Sequence, residues 1–198
     1  MHPQPHPQPQ NPGNPVLETE RLILRKLTAN DAGDVFAYCS DEEISKYTTW
    51  YSHQTIEDSV QYVDRVLGLY EQNDIAPWGI EDKETGAVIG TVGFVYWHPK
   101  HAKAELAYAL SRAHWNKGLM SEAAGRIIRF GFEAMQLVRI EARCHLSNIG
   151  SSRVMEKCGM EFEGVLRKNI LVKGQFEDLK LYAVIHEANA RAHEGGWK

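Results

Sequence analysis

The chain has 198 residues, 43% of them hydrophobic, with 22 Lys+Arg against 26 Asp+Glu and a net charge of −4. That fits one compact soluble domain, since single cores grow to roughly 250 residues before they split, and it argues against a nucleic-acid binder, which carries a strongly basic face. No apolar run approaches the roughly 20 residues needed to cross a bilayer and no basic start precedes an apolar stretch, so the expectation is a cytoplasmic protein with no membrane partner.

Six of the eight prolines fall within the first fifteen residues, which hold no charged side chain. Proline lacks the N–H that helices and sheet interiors need, so residues 1–15 read as a disordered extension, native or left over from cloning. The folded domain is then expected over 16–186, with a tail over 187–198. Leu22 and Leu24 alternating with Arg25 predict a strand over 21–27, and Asn30 or Asp31 is placed to cap a helix running to Cys39. Ile56, Val60, Val63, Leu67 and Tyr70 recur at helical spacing over 55–71.

The stretch 75–96 reads as two strands turned at Lys83-Glu84-Thr85-Gly86, and a third strand covers 104–110, giving an antiparallel meander. Residues 119–135 form the strongest helix, with Ala123, Ile127, Phe130 or Gly131, and Ala134 on one face. A strand over 138–144, a short helix over 149–158 stopped by Gly159, and a hairpin of 161–172 with 175–185 turned at Lys173-Gly174 complete the order. Such mixing predicts an α+β fold with helices flanking a mostly antiparallel sheet.

The segment Trp115-Asn116-Lys117-Gly118-Leu119-Met120-Ser121-Glu122-Ala123 joins a strand to that strongest helix. Unpaired N–H groups and the helix dipole at such a junction suit an anion such as a pyrophosphate, and Gly118 allows close approach. Alternatively, Gly118 makes a tight turn and Ser121 or Asn116 caps the helix. Downstream, Asn148 and Ser151 stand three residues apart at a helix start, where they either cap it or reach a ligand lying between the adjacent strands.

Together these segments resemble the Gcn5-related N-acetyltransferase (GNAT) superfamily, and within it the Rim-type branch of ribosomal-protein-alanine N-acetyltransferases. The resemblance spans nearly all of 17–185. It rests on Glu18-Thr19-Glu20-Arg21-Leu22, the WNKGLMSEA loop and helix, the SNIGSSRVMEKCGM segment and the closing hairpin with Gly164 and Gly174-Gln175. Gly118 matches the central glycine of the family's Q/R-x-x-G-x-G/A loop, while Trp115 and Met120 depart from it.

The resemblance implies a GNAT fold whose strands splay to hold the pantetheine arm of acetyl-CoA, with the strand ending at Leu110 on one side and the strand ending at Cys144 on the other. The pyrophosphate would sit on the amides of Asn116, Lys117, Gly118, Leu119, Met120 and Ser121, beside Trp115. Asn148 would bind the pantetheine, and Ser151 would protonate the departing thiolate. A strand N–H near Ala109 or Leu110 would meet the oxyanion. Glu105 stands where relatives carry a glutamate that acts through water as general base; otherwise it is a strand acid paired with Lys103 or Arg143. Trp50 and Tyr51, with Tyr47, fall in the loop that lines the acceptor pocket in this family, unless they pack in the core.

Charge distribution agrees with that picture. Residues 112–157 hold eight bases against four acids, and residues 31–84 hold thirteen acids against three bases. A basic cofactor half and an acidic acceptor rim follow, unless these acids simply solvate helix faces. Cys39, Cys144 and Cys158 are odd in number and widely spaced, which predicts reduced core thiols. His98 and His101 in a hairpin loop predict no metal site. Cys144 and His145 point to opposite faces of a strand and cannot act as a thiolate–imidazole pair.

The expected activity is acetyl-CoA-dependent transfer to a primary amine, favouring a protein N-terminal α-amine. A small-molecule amine (an antibiotic, a polyamine or an amino acid), a succinyl-CoA-type donor, and a non-catalytic acyl-CoA-binding regulator remain alternatives, as does self-association into a homo-oligomer.

Overall fold

The computed structural model describes residues 11–194. Eight strands form one sheet: β1 (Leu17–Glu18), β2 (Leu22–Arg25), β3 (Trp78–Asp82), β4 (Val88–His98), β5 (Lys103–Leu110), β6 (Arg139–His145), β7 (Glu161–Val172) and β8 (Gln175–Ile185). Their spatial order is β1-β2-β3-β4-β5-β6-β8-β7. Every neighbouring pair is antiparallel except β5 with β6, which run parallel. The helices are α1 (Ala32–Cys39), α2 (Glu42–Ser45), α3 (Ile56–Glu71), α4 (Leu119–Glu133), α5 (Ile149–Lys157) and α6 (Glu187–Glu194).

Strand alternation assigns the two faces. Ile89 and Leu110 join the larger core with Leu119, Ala123, Ile127 and Phe130 of α4, whereas Val88 and Ala109 face Val35 of α1 and Val63 and Val66 of α3. The α4 helix supplies the crossover that two parallel strands require. It lies close to the sheet because Gly131 has no side chain: a Cβ there would come within 2.9 Å of Phe94 Cζ and 3.0 Å of Ile140 Cδ1. Ala134, expected on the buried face, is exposed past the helix end. Among the described residues, no helix is long and apolar enough to cross a membrane.

Several local expectations change. Asp31, one of the two expected residues, stands at the N-cap position of α1, but its side chain makes no cap bond there. It closes a capping box with Thr28 at the start of the preceding 3-10 turn (Ala29–Asp31), where Asp31 Oδ2 accepts the Thr28 backbone N–H at 2.6 Å and its hydroxyl at 3.0 Å. Residues 11–15, assigned above to the disordered head, lie against the fold. Asn14 Nδ2 donates to the Ala76 carbonyl at 2.9 Å, and Trp78 Nε1 donates to the Pro15 carbonyl at 2.8 Å. In the expected tail, α6 is anchored by Asn189 Nδ2, which donates to the carbonyls of Phe132 (2.9 Å) and Leu137 (2.8 Å). Residues 1–10 and 195–198, covered by the same two expectations, lie outside the described residues.

Candidate functional site

The sheet opens along one seam. β5 and β6 pair only from Lys103 opposite Arg139 to Leu106 opposite Ala142, yet β5 continues to Leu110 and β6 to His145. The other edge of β5 is fully occupied by β4, apart from a register shift at Val95, which is 65% exposed. Ser111 N donates to Ile89 O at 2.8 Å beside the Gly90–Leu110 pair. Antiparallel alternation therefore turns the backbone of Ala109 toward Thr91 and that of Tyr108 and Leu110 toward the gap. Of the two amides expected near the oxyanion, only that of Leu110 faces the opening. The Leu110 carbonyl is already taken by Trp115 Nε1 at 2.8 Å.

The chain leaves β5 and enters α4 through that indole. Asn116 and Gly118 both adopt positive φ, 59° and 79°, and Gly118 is the N-terminal cap of α4 with no side-chain cap bond. Neither Ser121 nor Asn116 caps the helix. The first amide of this stretch to find a partner is Glu122 N, which donates to Gly118 O. Among the described residues, no acceptor meets the backbone N–H groups of Asn116, Lys117, Gly118, Leu119, Met120 or Ser121. The side chains of Leu119 and Met120 are buried in the core, so only their amides are presented. Arg21 fixes the loop from behind: Nη1 donates to Lys117 O at 3.0 Å, and Nε donates to Glu122 Oε2 at 2.8 Å. Its place in the Glu-Thr-Glu-Arg-Leu motif was visible in the sequence, but its role was not.

Across the gap, Asn148 takes the capping role: its Oδ1 accepts Ser151 N at 3.0 Å. The Ser151 hydroxyl lies 2.9 Å from the Tyr108 hydroxyl, so a β5 side chain reaches α5 where the two strands have parted. The Cys144 thiol is buried beside Ser152 Oγ at 3.5 Å, and burial pushes it above the ordinary thiol value. All three cysteines are free. His145 projects to the other face, where its ring stacks on Tyr47 at 5.1 Å and Nε2 lies 3.1 Å from Glu177 Oε2.

On that second face, Glu105 is held by Arg143, whose Nε donates to Oε1 at 2.9 Å and whose Nη2 donates to Oε2. Arg143 Nη1 also reaches Asn169 Oδ1 at 2.8 Å. The sequence-level alternative, a strand acid paired with arginine, thus describes the resting arrangement. Trp50 packs partly buried against the α1–α3 core, 5.9 Å from the His53 ring. Tyr51 is 69% exposed, with Lys173 Nζ 5.2 Å from its ring. Lys173, at the hairpin tip, also donates to Ser45 O at 2.7 Å. A groove of about 350 Å³ runs beside the end of β5, bounded by Tyr38, Asp41 and Arg112.

The charge asymmetry is largely absorbed by the fold. Of the eight bases in 112–157, Arg112, Arg139, Arg143 and Arg153 are ion-paired. On the acidic side, Asp31 and Glu81 pair with Arg25, Asp34 accepts Val88 N, Asp41 caps α2, and Asp58 accepts the amides of Gln54 and Thr55. Four of the eight bases (Lys117, Arg126, Arg129 and Lys157) are outside these ion pairs, while much of the acidic rim is structural. The rings of His98 and His101 lie 4.2 Å apart, and no metal-holding cluster of His, Cys, Asp or Glu occurs among the described residues.

Comparison with known proteins agrees with this architecture. The family described as "Acetyltransferase (GNAT) domain" matches residues 21–161. An uncharacterised N-acetyltransferase of Bacillus subtilis, YoaA, is 36% identical over 171 residues, covering 86% of this chain and 97% of its own. The Escherichia coli ribosomal-protein-serine acetyltransferase is 29% identical over 86% of this chain and 96% of its own. A GNAT-family acetyltransferase structure from Bacillus anthracis superposes with a TM-score of 0.78 at 31% identity, over 87% of this chain and 99% of the other.

Proposed function

Since the chain belongs to the GNAT acetyltransferase family and is an N-acetyltransferase, we propose that it carries acetyl from acetyl-CoA to a primary amine, with a protein N-terminal α-amine as favoured acceptor. The observation that carries this reading is the run of six acceptor-less amides, Asn116 to Ser121, at the start of α4 where the β5–β6 gap opens. Helix N-termini with unpaired N–H groups bind phosphate oxygens, and an open strand edge accepts an extended amide-bearing chain. The pyrophosphate and pantetheine of acetyl-CoA present those two features in series. Asn148 and the backbones of Tyr108 and Leu110 would line the pantetheine path, and the Leu110 amide would meet the oxyanion.

In this mechanism Glu105 takes the proton of the attacking amine through water and releases it to solvent, while Ser151 gives a proton to the sulfur as the C–S bond breaks and regains one from solvent. A carboxylate is a weak base. It suffices for an α-amine, whose pKa near about 8 already leaves a useful neutral fraction, and not for a lysine near about 10.4. The E. coli relative, which by its name acts on a ribosomal protein serine, supports the same acceptor class. Trp50 and Tyr51 would flank the incoming chain.

A screen of thioester consumption against amines tests the proposal. It should find turnover with peptides beginning in Ala or Ser. Tight CoA binding with no amine acetylated, across peptides and small molecules alike, would instead identify a non-catalytic acyl-CoA sensor.

A further inference from the structure

Tyr108 is the point where the two arms of the open seam touch again. It lies two residues past Leu106, the last β5 residue paired with β6, and its hydroxyl meets Ser151 at the start of α5. Two acceptors lie within its reach: Ser151 Oγ at 2.9 Å and the Ser151 carbonyl at 3.1 Å. The Ser151 amide is held separately by Asn148 Oδ1. The backbone of this serine is therefore fixed from both sides. Of its two side-chain neighbours, the Tyr108 hydroxyl and the Cys144 thiol, Tyr108 is the stronger hydrogen-bond donor and so sets where the serine's hydroxyl hydrogen points.

We propose that Tyr108 is a positioning residue for the transfer reaction: by donating its hydrogen to Ser151 Oγ, it leaves the serine's own hydrogen free to be directed at the departing sulfur. The inference rests on the reading of Ser151 as the group that serves the thiolate. A hydroxyl that accepts from one neighbour becomes a better donor to another, and this cooperativity grows where water is excluded. Before reaction, the Tyr108 hydrogen has the Ser151 carbonyl as an equivalent resting place. As charge builds on sulfur, that hydrogen turns to Oγ while the serine hydrogen turns to sulfur. No proton leaves the tyrosine: its burial disfavours the phenolate, so it acts as a donor that does not ionise.

The test compares Tyr108→Phe, Ser151→Ala and the parent enzyme with two acetyl donors, acetyl-CoA and S-phenyl thioacetate. The aryl thiol is far more acidic and leaves without help. With acetyl-CoA, Tyr108→Phe should lower kcat by about tenfold, the worth of one well-placed hydrogen bond. With the aryl donor, the ratio of Tyr108→Phe to parent kcat/KM should return to near one, and Ser151→Ala should show the same recovery from a deeper loss. Calorimetric CoA affinity should stay at the parent value for Tyr108→Phe, and the melting temperature should fall by only the few degrees that one buried hydrogen bond is worth. If that variant does not fold, Tyr108→Met in the same comparison takes its place.

A Tyr108 defect equal for both donors, or no defect with acetyl-CoA, would overturn the positioning role while leaving Ser151 intact, provided Ser151→Ala still recovers. If Ser151→Ala loses activity equally with both donors, the role of Ser151 itself fails, and this inference with it.

Discussion

Arg21 and Glu122 are 101 residues apart, yet they meet three times: the Arg21 backbone N–H donates to Oε1 at 2.9 Å, its Nε to Oε2 at 2.8 Å, and its Nη2 lies 2.6 Å from Oε2. The pair binds the entry to β2 to the first turn of α4, and Arg21 Nη1 carries the tie on to the Lys117 carbonyl. Burial disfavours the Glu122 carboxylate, but hydrogen bonds from Thr19 and Arg21 outweigh it and hold its pKa below the ordinary value. Glu122→Ala should weaken acetyl-CoA binding by about tenfold, because the amide cradle loses its rear support while no phosphate contact is removed. Glu122→Gln keeps an oxygen for the Arg21 amide and should fall between the two. Calorimetry with CoA measures both, and unchanged affinity in Glu122→Ala would separate the cradle from this pair.

Gly118 tests the same cradle directly. Its φ of 79° strains any other residue, although a Cβ would find only Arg21 Nη2, at 3.6 Å. Gly118→Ala should therefore cost about 1 kcal/mol of stability from backbone conformation. Gly118→Glu should in addition abolish measurable acetyl-CoA binding, by placing a carboxylate and its bulk where the phosphates belong. Equal CoA affinities for the alanine and glutamate variants would move the phosphate site elsewhere.

Glu105→Gln should leave CoA affinity unchanged and lower kcat by about a hundredfold, the lower range for loss of a general base. Arg143→Gln removes two donors from the same carboxylate and should cost less, about tenfold. If Arg143 acts only by holding Glu105, the double variant will resemble Glu105→Gln alone, because the second change has nothing left to disturb. Additive losses would give Arg143 a role of its own.

Where local chemistry decides, the sequence was a sufficient guide. Thr55 and Asp58 form the capping box that starts α3 at Ile56, and Lys173 and Gly174 both adopt the positive φ that their hairpin turn requires. The larger misses came where the deciding partner is distant, the Thr28–Asp31 capping box being a local one. Asn189 makes α6 part of the fold by bonding carbonyls more than fifty residues away, and Asn14 does the same for the supposedly disordered head. The site divides in the same way. The amide cradle could be read from a glycine ahead of a helix, and Arg143 could be named as one of two candidate partners for Glu105, while the Tyr108 contact to Ser151 spans 43 residues and leaves no spacing signature.

Asp31 ties acid sensitivity to the helical face. Burial disfavours its charge, but hydrogen bonds from Arg25 and Thr28 outweigh that and lower its pKa. A carboxylate with a depressed folded-state pKa stabilises the fold fully above its unfolded value of about 3.9 and loses that contribution as pH falls through the folded value. Asp31→Asn should then cost about 1–3 kcal/mol near neutrality, from lost charged hydrogen bonds. The gap between parent and variant should close as the pH is lowered below about 4. Melting temperatures at a series of pH values measure it, and a gap that stays constant into acid would show that the charge of Asp31 is not what stabilises.

Lys173 links the hairpin tip to the loop that carries Trp50 and Tyr51. Its ammonium donates to Ser45 O at 2.7 Å and lies 5.2 Å from the Tyr51 ring, while Tyr47 stacks on His145 at the end of β6. Both contacts hold the segment from Ser45 to Tyr51 against the strands of the second face, the face that also carries Glu105 and Arg143. If this segment flanks the acceptor, the contacts should matter more for a peptide than for a compact amine. Lys173→Met keeps most of the side chain's bulk and removes only the charge and the donor. It should raise the peptide KM by about three- to tenfold, the worth of one hydrogen bond, with the acetyl-CoA KM unchanged. A small amine turned over by the parent enzyme serves as the control, because its KM should not move. Equal shifts for peptide and small amine would mean that the bridge supports the site as a whole without roofing a path to it.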